Sequence, residues 1–239
     1  MTKKINLIFD LDETLVQLGE ANYNDKGIRL KENKYLFIRP YCKELLEFCY
    51  KHYRVSFWTS GSPKYCRKIL TIILSPQQLK KTKIIICKYD DKFLELTTKK
   101  IYEPIKYYLD DTVISNYVKS LNLLWTVEEF NNKFDIYNTL IIDDNFFLEK
   151  INPMNYIRIN AWCRYMKYDN ALDRLKLWLE ENKKLLLKLK KKKKKLILLN
   201  ILNNNEFDVQ MKKQLGQENM ELIMESSYNC RQNLVVTEI

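Results

Sequence analysis

The chain contains a single histidine, His52, and this scarcity excludes much hydrolytic chemistry. Serine and cysteine hydrolases usually use an imidazole base, and most catalytic zinc sites include a histidine ligand. His52 lies in CYKHYRV, where a predicted helix gives way to a strand, and we interpret it as a surface or helix-end residue. If the protein is an enzyme, carboxylates are expected to carry its chemistry.

Long apolar runs and paired cysteines are also missing. No apolar stretch approaches the roughly 18 residues of a membrane-spanning helix. Asp10 and Asp12 interrupt the N-terminal apolar run before a secretory signal can form. None of the six cysteines has CxxC spacing, so buried reduced thiols are favoured over disulfides or a zinc site. We therefore expect an intracellular protein, nuclear or cytoplasmic, with no transmembrane segment.

Charge divides the chain into two parts. Nine lysines and no acidic residue lie between positions 183 and 195, and a tail rich in Asn, Gln and Glu follows. We predict one folded domain over residues 1–182 and a lysine-rich connector with a low-complexity tail over 183–239. A solvated connector is the favoured interpretation of this run, and weak polyanion binding through Lys183 to Lys195 is the functional alternative.

Short apolar runs alternate with segments of helical periodicity in the first part. The runs that predict strands are INLIF (5–9), RVSFW (54–58), KIIIC (83–87), NTLII (138–142) and YIRI (156–159). KFLEL (92–96) and KKIYE (99–103) are candidates for small added strands. Helices are predicted from Pro40, from Ser62 to about Leu74, around residues 114–121, and from about Asp169. This alternation predicts an α/β fold: a mainly parallel sheet with helices on both faces, a small β insert and no large cap.

Polar residues follow three of the predicted strands, at the edge where ligands gather in parallel sheets. The first strand leads into Asp10 and Asp12, the second into Thr59, and a later one into Asp143 and Asp144. Asp10 and Asp12 are two residues apart, so they project from the same face if the strand pleat persists. The sequence therefore predicts four carboxylates and a hydroxyl at one edge.

Two neighbouring carboxylates can divide the work of phosphoryl transfer. Because they resist joint ionisation, one can remain an anionic nucleophile while the other holds a proton. The protonated acid would protonate the leaving oxygen and then, as a base, activate water. Asp143 and Asp144 offer the oxygen ligands that Mg²⁺ takes. Thr59 and Lys119, the latter expected on the helix around 114–121, could contact phosphate oxygens.

Six segments, in order, carry a family resemblance: DLDETLV (10–16), FIRPYCKELLEF (37–48), FWTSGSPKYCRKIL (57–70), YVKSL (117–121), IIDDN (141–145) and NYIRINAW (155–162). They resemble the phosphatase domain of the RNA polymerase II C-terminal-domain (CTD) phosphatases, the NLI-interacting-factor-like group that includes the small CTD phosphatases. That group lies within the haloacid dehalogenase superfamily, which implies a Rossmannoid sheet. The resemblance covers about residues 5–180. The chain departs from it at Asn145-Phe146, where the family commonly has Ser-Pro.

The resemblance also implies roles for individual residues. Asp10 would be the nucleophile, and Asp12 the general acid and base. Thr59 and Lys119 would contact the phosphate. The implied Mg²⁺ ligands are Asp10, the backbone carbonyl of Asp12, and Asp144 with support from Asp143.

The function expected on these grounds is that of a Mg²⁺-dependent protein phosphatase acting through an aspartyl phosphate. Phosphoserine or phosphothreonine in an extended peptide would be its substrate, with the RNA polymerase II tail as one candidate. A non-catalytic, protein-binding version of the domain is an alternative, which the presence of both Asp10 and Asp12 disfavours. A phosphatase of nucleic-acid ends is another, which the lysine run would suit.

Overall fold

The computed structural model describes residues 4–20, 27–31, 33–87, 107–109, 112–114, 119–166 and 168–192. The strands are β1 (Asn6–Phe9), β2 (Val16–Gly19), β3 (Ile28–Lys31), β4 (Lys34–Ile38), β5 (Arg54–Trp58), β6 (Ile85–Ile86), β7 (Tyr107–Leu109), β8 (Thr112–Ile114), β9 (Thr139–Asp143) and β10 (Tyr156–Arg158). The helices are α1 (Cys42–His52), α2 (Pro63–Ile73), α3 (Pro76–Lys81), α4 (Leu121–Thr126), α5 (Glu128–Asn131), α6 (Leu148–Ile151) and α7 (Ala171–Lys191).

A five-stranded sheet forms the centre of the molecule, in the order β10-β9-β1-β5-β6. Each neighbouring pair is parallel. The register places Phe9 of β1 beside Phe57 of β5 and Ile142 of β9. Because the three strands run in the same direction, the residues after each one meet at the same edge. The sheet confirms the predicted α/β fold.

The central strands are apolar on both sides, as parallel strands covered by helices require. Along β1, Leu7 and Phe9 join one buried cluster, whereas Ile8 joins the other. Helices α1, α2 and α7 contribute to the first cluster, and α4 and α6 to the second. The period-2 alternation of strand side chains thus distributes the core over two faces, and the prediction of helices on both faces is confirmed.

Two antiparallel units accompany the central sheet. Strands β2, β4 and β3 form a three-stranded sheet between β1 and α1, and β7 pairs with β8 as a hairpin. The β7-β8 hairpin agrees with the predicted small β insert, whereas the three-stranded sheet was not predicted. The candidate strands KFLEL and KKIYE lie outside the described residues.

Two helix predictions need correction. Helix α1 begins at Cys42 rather than at Pro40, because Tyr41 between them has a left-handed backbone with φ of 63°. The helix predicted around residues 114–121 is wrong at the described residues of that range: Ile114 ends β8, and Lys119 precedes the first turn of α4. Residues 115–118 lie outside the described residues. The backbone N–H of Leu121 donates to Oδ1 of Asn152 at 2.9 Å, so a residue distant in sequence fixes where α4 starts.

Helix α7 continues through the position where the sequence was divided. It runs without a break past residue 182 to Lys191, and Leu186 is buried in the main core. The division into 1–182 and 183–239 remains a prediction about domains, but the helix shows that the first lysines after 182 belong to a folded element. Among the described helices, none combines the length and the apolar composition that crossing a bilayer requires.

The cysteines agree in part with the expectation of buried reduced thiols. Cys42, Cys49, Cys66 and Cys87 are free and buried. Cys163 is instead disulfide-bonded, so the expectation is wrong at this residue.

Candidate active site

The loop after β1 begins at the carboxyl edge of the sheet with Asp10. The backbone N–H of Asp10 donates to the Ile142 carbonyl at 3.0 Å, which joins the start of the loop to β9. Glu13 has a left-handed backbone with φ of 58°, a conformation that costs a residue other than glycine about 1–2 kcal/mol. The Glu13 N–H donates to Val16 O, and the Trp162 N–H donates to Glu13 O, each at 2.7 Å. These bonds hold the tight turn that directs Asp10 and Asp12 into one site.

A buried arginine, Arg39, contacts the same loop. Arg39 is 2% exposed and donates to the carbonyls of Glu13 and Thr14, at 3.3 and 3.1 Å. Its other guanidinium nitrogens pair with both carboxylate oxygens of Asp169, at 2.7 and 3.0 Å. A bidentate pair of this kind fixes geometry as well as charge. Arg39 therefore joins the loop after β1 to the segment before α7.

Asp12 receives donors from β5 and α2. Thr59, 1% exposed, directly follows β5, and its hydroxyl lies 3.4 Å from Oδ2 of Asp12. The Tyr65 hydroxyl, from the first turn of α2, donates to Oδ1 of Asp12. The Thr59 hydroxyl also accepts the Gly61 N–H at 3.0 Å. Asp12 is consequently held on the side of the site formed by β5 and α2.

Lys119 lies between two of the carboxylates. Its Nζ donates to Oδ1 of Asp10 at 2.5 Å and to Oδ2 of Asp143 at 2.6 Å, and the residue is 6% exposed. Its backbone carbonyl accepts the side-chain amide of Asn152 at 2.9 Å. Although Lys119 itself is not helical, it reaches the predicted site, because Asn152 fixes both its carbonyl and the start of α4.

The loop after β9 supplies the last two acids. Asp143 accepts the Asn145 N–H on Oδ1 at 2.9 Å, and the Tyr156 hydroxyl lies within bonding distance of the carbonyls of Asp143 and Asn145. The Thr14 hydroxyl donates to Oδ1 of Asp144 at 3.2 Å, which connects this loop to the one after β1. Asn145 and the exposed Phe146, where the family pattern is lost, lead directly into α6.

Burial and crowding perturb the charged groups of the site. Burial raises the pKa of Asp10 well above its ordinary value, and Asp143 and Asp12 add to this while Lys119 opposes it. Burial, followed by the charge of Asp143, raises the pKa of Asp144 to about 7. Burial also opposes the charge on Lys119, but Asp10 and Asp143 outweigh it, so the pKa of Lys119 is above its ordinary value. The site carries more negative charge than its one lysine balances.

A divalent cation fits this arrangement. Asp10, Asp143 and Asp144 each present one carboxylate oxygen, and the three oxygens lie within 4.8 Å of one another. Magnesium holds oxygen ligands at about 2.0–2.1 Å, so opposite ligands are about 4 Å apart, and small side-chain shifts would close the set around it. Hard oxygen donors and surplus negative charge are the chemistry that Mg²⁺ requires.

Comparison with known proteins identifies the family of the chain. The family model of the NLI interacting factor-like phosphatases matches residues 5–190. The chain belongs to this family. The match confirms the resemblance to the CTD phosphatases and extends beyond residue 182 into the second half of α7.

Several individual proteins are also similar to this chain. "Putative CTD phosphatase-like protein 355R" of Invertebrate iridescent virus 3 is 22% identical over 177 residues, with 67% of this chain and 85% of the viral protein covered. A solved structure of Fcp1, an essential RNA polymerase II CTD phosphatase, is 17% identical with a TM-score of 0.46 and covers 79% of this chain. A fission yeast Fcp1 variant bound to beryllium fluoride is 16% identical with a TM-score of 0.45, over 80% of this chain. The chain spans about half of each Fcp1 chain, 50% and 54%.

The structure of this family member brings the predicted site residues together. The six are Asp10, Asp12, Thr59, Lys119, Asp143 and Asp144, linked through the contacts described above. Sequence reasoning missed the roles of Arg39, Asp169, Tyr65 and Asn152. Arg39 and Tyr65 lie within quoted family segments, and a charged residue between an apolar strand and a proline was a usable signal for Arg39.

Proposed function

We propose that the chain is a Mg²⁺-dependent phosphoprotein phosphatase that acts through an aspartyl phosphate on Asp10. The observation that carries the proposal is the meeting of Asp10, Asp12 and Lys119 with the acids of β9 at one sheet edge. Membership in a phosphatase family supports the same reaction class. The roles of the individual residues follow from their positions.

The first step would transfer the phosphoryl group to the enzyme. An Asp10 carboxylate oxygen attacks phosphorus and forms a new P–O bond while the ester P–O bond breaks. Asp12 gives its proton to the departing oxygen, which leaves as an alcohol. Burial raises the pKa of Asp12, against the opposing effects of the Tyr65 bond and of Lys119, which favours the protonated form that this step needs.

The second step would restore the enzyme. Asp12, now a carboxylate, accepts a proton from water, and the water oxygen bonds to phosphorus. The bond between phosphorus and Asp10 breaks, and inorganic phosphate leaves. Because Asp12 loses one proton and regains one, each turnover returns the starting state.

Three groups would stabilise charge during both steps. A bound Mg²⁺ would neutralise Asp10 and a phosphate oxygen so that two anions can approach. Asp10, Asp143, Asp144 and the backbone carbonyl of Asp12 are the proposed ligands. Lys119 would keep Asp10 in place and offset negative charge, and the Thr59 hydroxyl would donate to a non-bridging phosphate oxygen.

The proposed substrate is phosphoserine or phosphothreonine in an extended peptide. The viral relative is named as a CTD phosphatase-like protein. The polymerase tail is therefore the first phosphoprotein to test, and an intracellular location, nuclear or cytoplasmic, belongs to the same proposal. The structural likenesses themselves add nothing to this choice of substrate.

The lysine run is proposed as a separate polyanion-binding surface. Lys183 lies 3.3 Å from His52 at the end of α1, and Lys190 donates to the Lys4 carbonyl at 2.9 Å. Lys4 precedes β1 and Arg54 begins β5, so the described lysines of the run lie at the amino edge of the sheet, opposite the carboxylates. This separation disfavours a role in presenting nucleic-acid ends to the site.

A side-by-side assay tests the proposal. Purified protein would be given p-nitrophenyl phosphate, phosphoserine and phosphothreonine peptides of the polymerase tail, and a 3′-phosphorylated oligonucleotide, each with Mg²⁺ or with excess chelator. We expect Mg²⁺-dependent release of phosphate from the aryl phosphate and the peptides. Activity on the oligonucleotide alone would support the nucleic-acid alternative. Inactivity towards every substrate would support the protein-binding alternative.

A further inference from the structure

Tyr65 contacts one oxygen of Asp12 while Thr59 lies beside the other. The Tyr65 hydroxyl donates to Oδ1, and the Thr59 hydroxyl is 3.4 Å from Oδ2. The two Asp12 oxygens are therefore not equivalent. Oδ1 is occupied as an acceptor, whereas Oδ2 has only a long contact.

The chain around Tyr65 is shaped to bring its ring to this position. A Cβ added at Gly61 would overlap Cδ1 of Tyr65, so the ring occupies space that only glycine leaves free. The Tyr65 backbone N–H donates to the Ser62 hydroxyl at 3.3 Å, and Pro63 starts α2. An N-cap followed by proline fixes the first helical turn, and this turn carries Tyr65.

The phenol remains a hydrogen-bond donor in this place. A tyrosine hydroxyl has an ordinary pKa of about 10, so at neutral pH the Tyr65 hydroxyl has its proton and can donate it to Asp12. A phenol that donates to Oδ1 leaves Oδ2 as the oxygen on which Asp12 can carry a proton of its own. The hydrogen bond thus selects one of two positions for that proton and restricts rotation of the carboxyl group.

We propose that Tyr65 is a positioning residue for proton transfer, which holds Asp12 so that its transferable proton resides on Oδ2. The inference rests on the proposed function, because it assumes that Asp12 protonates the leaving group. Tyr65 needs no contact with the reacting atoms in this role. Its effect should depend on how strongly the leaving group requires a proton.

Tyr65→Phe removes the hydroxyl and keeps the ring, and two aryl phosphates of similar size report on its effect. Phenyl phosphate needs a proton on its leaving oxygen more than p-nitrophenyl phosphate does. The ratio of kcat/KM values isolates the steps up to the aspartyl phosphate. We expect the variant to lose about 10-fold more on phenyl phosphate than on p-nitrophenyl phosphate, which is the size of effect that one hydrogen bond supplies.

Two further variants separate positioning from general damage. Tyr50→Phe also removes a buried tyrosine hydroxyl, which lies 2.6 Å from that of Thr82 and away from the carboxylates, and should leave the ratio unchanged. Gly61→Ala should displace the Tyr65 ring and raise the preference for p-nitrophenyl phosphate as Tyr65→Phe does. If Tyr65→Phe does not fold, Gly61→Ala carries the test.

The outcomes distinguish this inference from the proposed function. If the wild-type protein is active and neither Tyr65→Phe nor Gly61→Ala changes its substrate ratio, the positioning role alone is overturned. A wild-type protein inactive on both aryl phosphates would overturn the proposed function and this inference with it.

Discussion

Replacing Arg39 with methionine tests two effects of this residue, one on the stability of the fold and one on the geometry of the loop after β1. Arg39 is 2% exposed and makes two kinds of contact. It pairs with both oxygens of Asp169, and it donates to the carbonyls of Glu13 and Thr14. Methionine has a similar length but provides no donor.

The expected loss in the free energy of unfolding follows from the carboxylate that stays buried without its partner. The side chains of Arg39 and Asp169 are 1% and 8% exposed, so Arg39→Met leaves an uncompensated carboxylate out of water. Breaking a buried pair from one side costs about 3–5 kcal/mol. A domain is stable by about 5–15 kcal/mol, so the variant should fold with a clearly reduced free energy of unfolding.

A second substitution tests the reasoning further. In Arg39→Met with Asp169→Leu, neither charge is present, and replacing both partners of a buried pair is often close to neutral. We expect the double variant to regain most of the lost stability. Phosphatase activity should stay low, because the carbonyls of Glu13 and Thr14 still lack their donor and Glu13 keeps its strained backbone.

The assay is urea unfolding of the wild type, both single variants and the double variant, with aryl phosphate turnover measured on the same samples. Asp169→Leu alone serves as the control for the other half of the pair. Full activity in the stable double variant would contradict a positioning role for Arg39. If Arg39→Met lowers the free energy of unfolding by less than about 1 kcal/mol, as the loss of an exposed ion pair does, the inference that this pair is buried is contradicted.

Three further predictions concern the metal, pH and the C-terminal segment. Activity should require Mg²⁺ and be inhibited by fluoroberyllate, and Asp144→Ala should raise the Mg²⁺ requirement or abolish turnover; full activity in excess EDTA would refute this. Without metal, the pKa of Asp144 is about 7 in the folded state and about 3.9 in the unfolded state. The folded state therefore binds the proton of Asp144 more tightly. Stability from this group should therefore be present at low pH and be lost between about pH 4 and 7, and chelator-treated Asp144→Asn should show a flatter pH dependence of urea unfolding. Shortening the chain to residues 1–192 should preserve aryl phosphate turnover. Shortening it to residues 1–182 should lower the free energy of unfolding by about 1.5–3 kcal/mol, because the burial of Leu186 is lost. The chain shortened to residues 1–182, which lacks all nine lysines of the run, should elute from heparin at lower salt than the full chain, and equal elution would argue against the lysine run as a polyanion surface.

Continuous apolar runs made the central sheet predictable. RVSFW coincides with β5, INLIF begins one residue before β1, and NTLII is shifted by one residue relative to β9. The three-stranded sheet of β2, β3 and β4 was not predicted, because its strands have four or five residues that mix apolar and charged types. Short strands of this kind are defined by pairing, which local sequence does not reveal.

The acids of the site were predictable because parallel strand ends meet at one edge. Lys119 was assigned to the site on the wrong element, since the contacts of Asn152 that set its position come from a residue 33 positions away. The pairing of Arg39 with Asp169 spans 130 positions, and the contact between Tyr65 and Asp12 spans 53. Such supporting contacts depend on the completed fold.

Mapping the phosphorylated residue is the most direct test of the central claim that Asp10 accepts the phosphoryl group. Asp12→Asn should still be phosphorylated by p-nitrophenyl phosphate, whose leaving group needs little protonation, but should hydrolyse the intermediate slowly for lack of a base. After acid quenching, peptide mass spectrometry should place one phosphoryl group on Asp10, and the variant with both Asp10→Asn and Asp12→Asn should carry none. A phosphoryl group on another residue, or clear turnover by purified Asp10→Asn, would contradict the account.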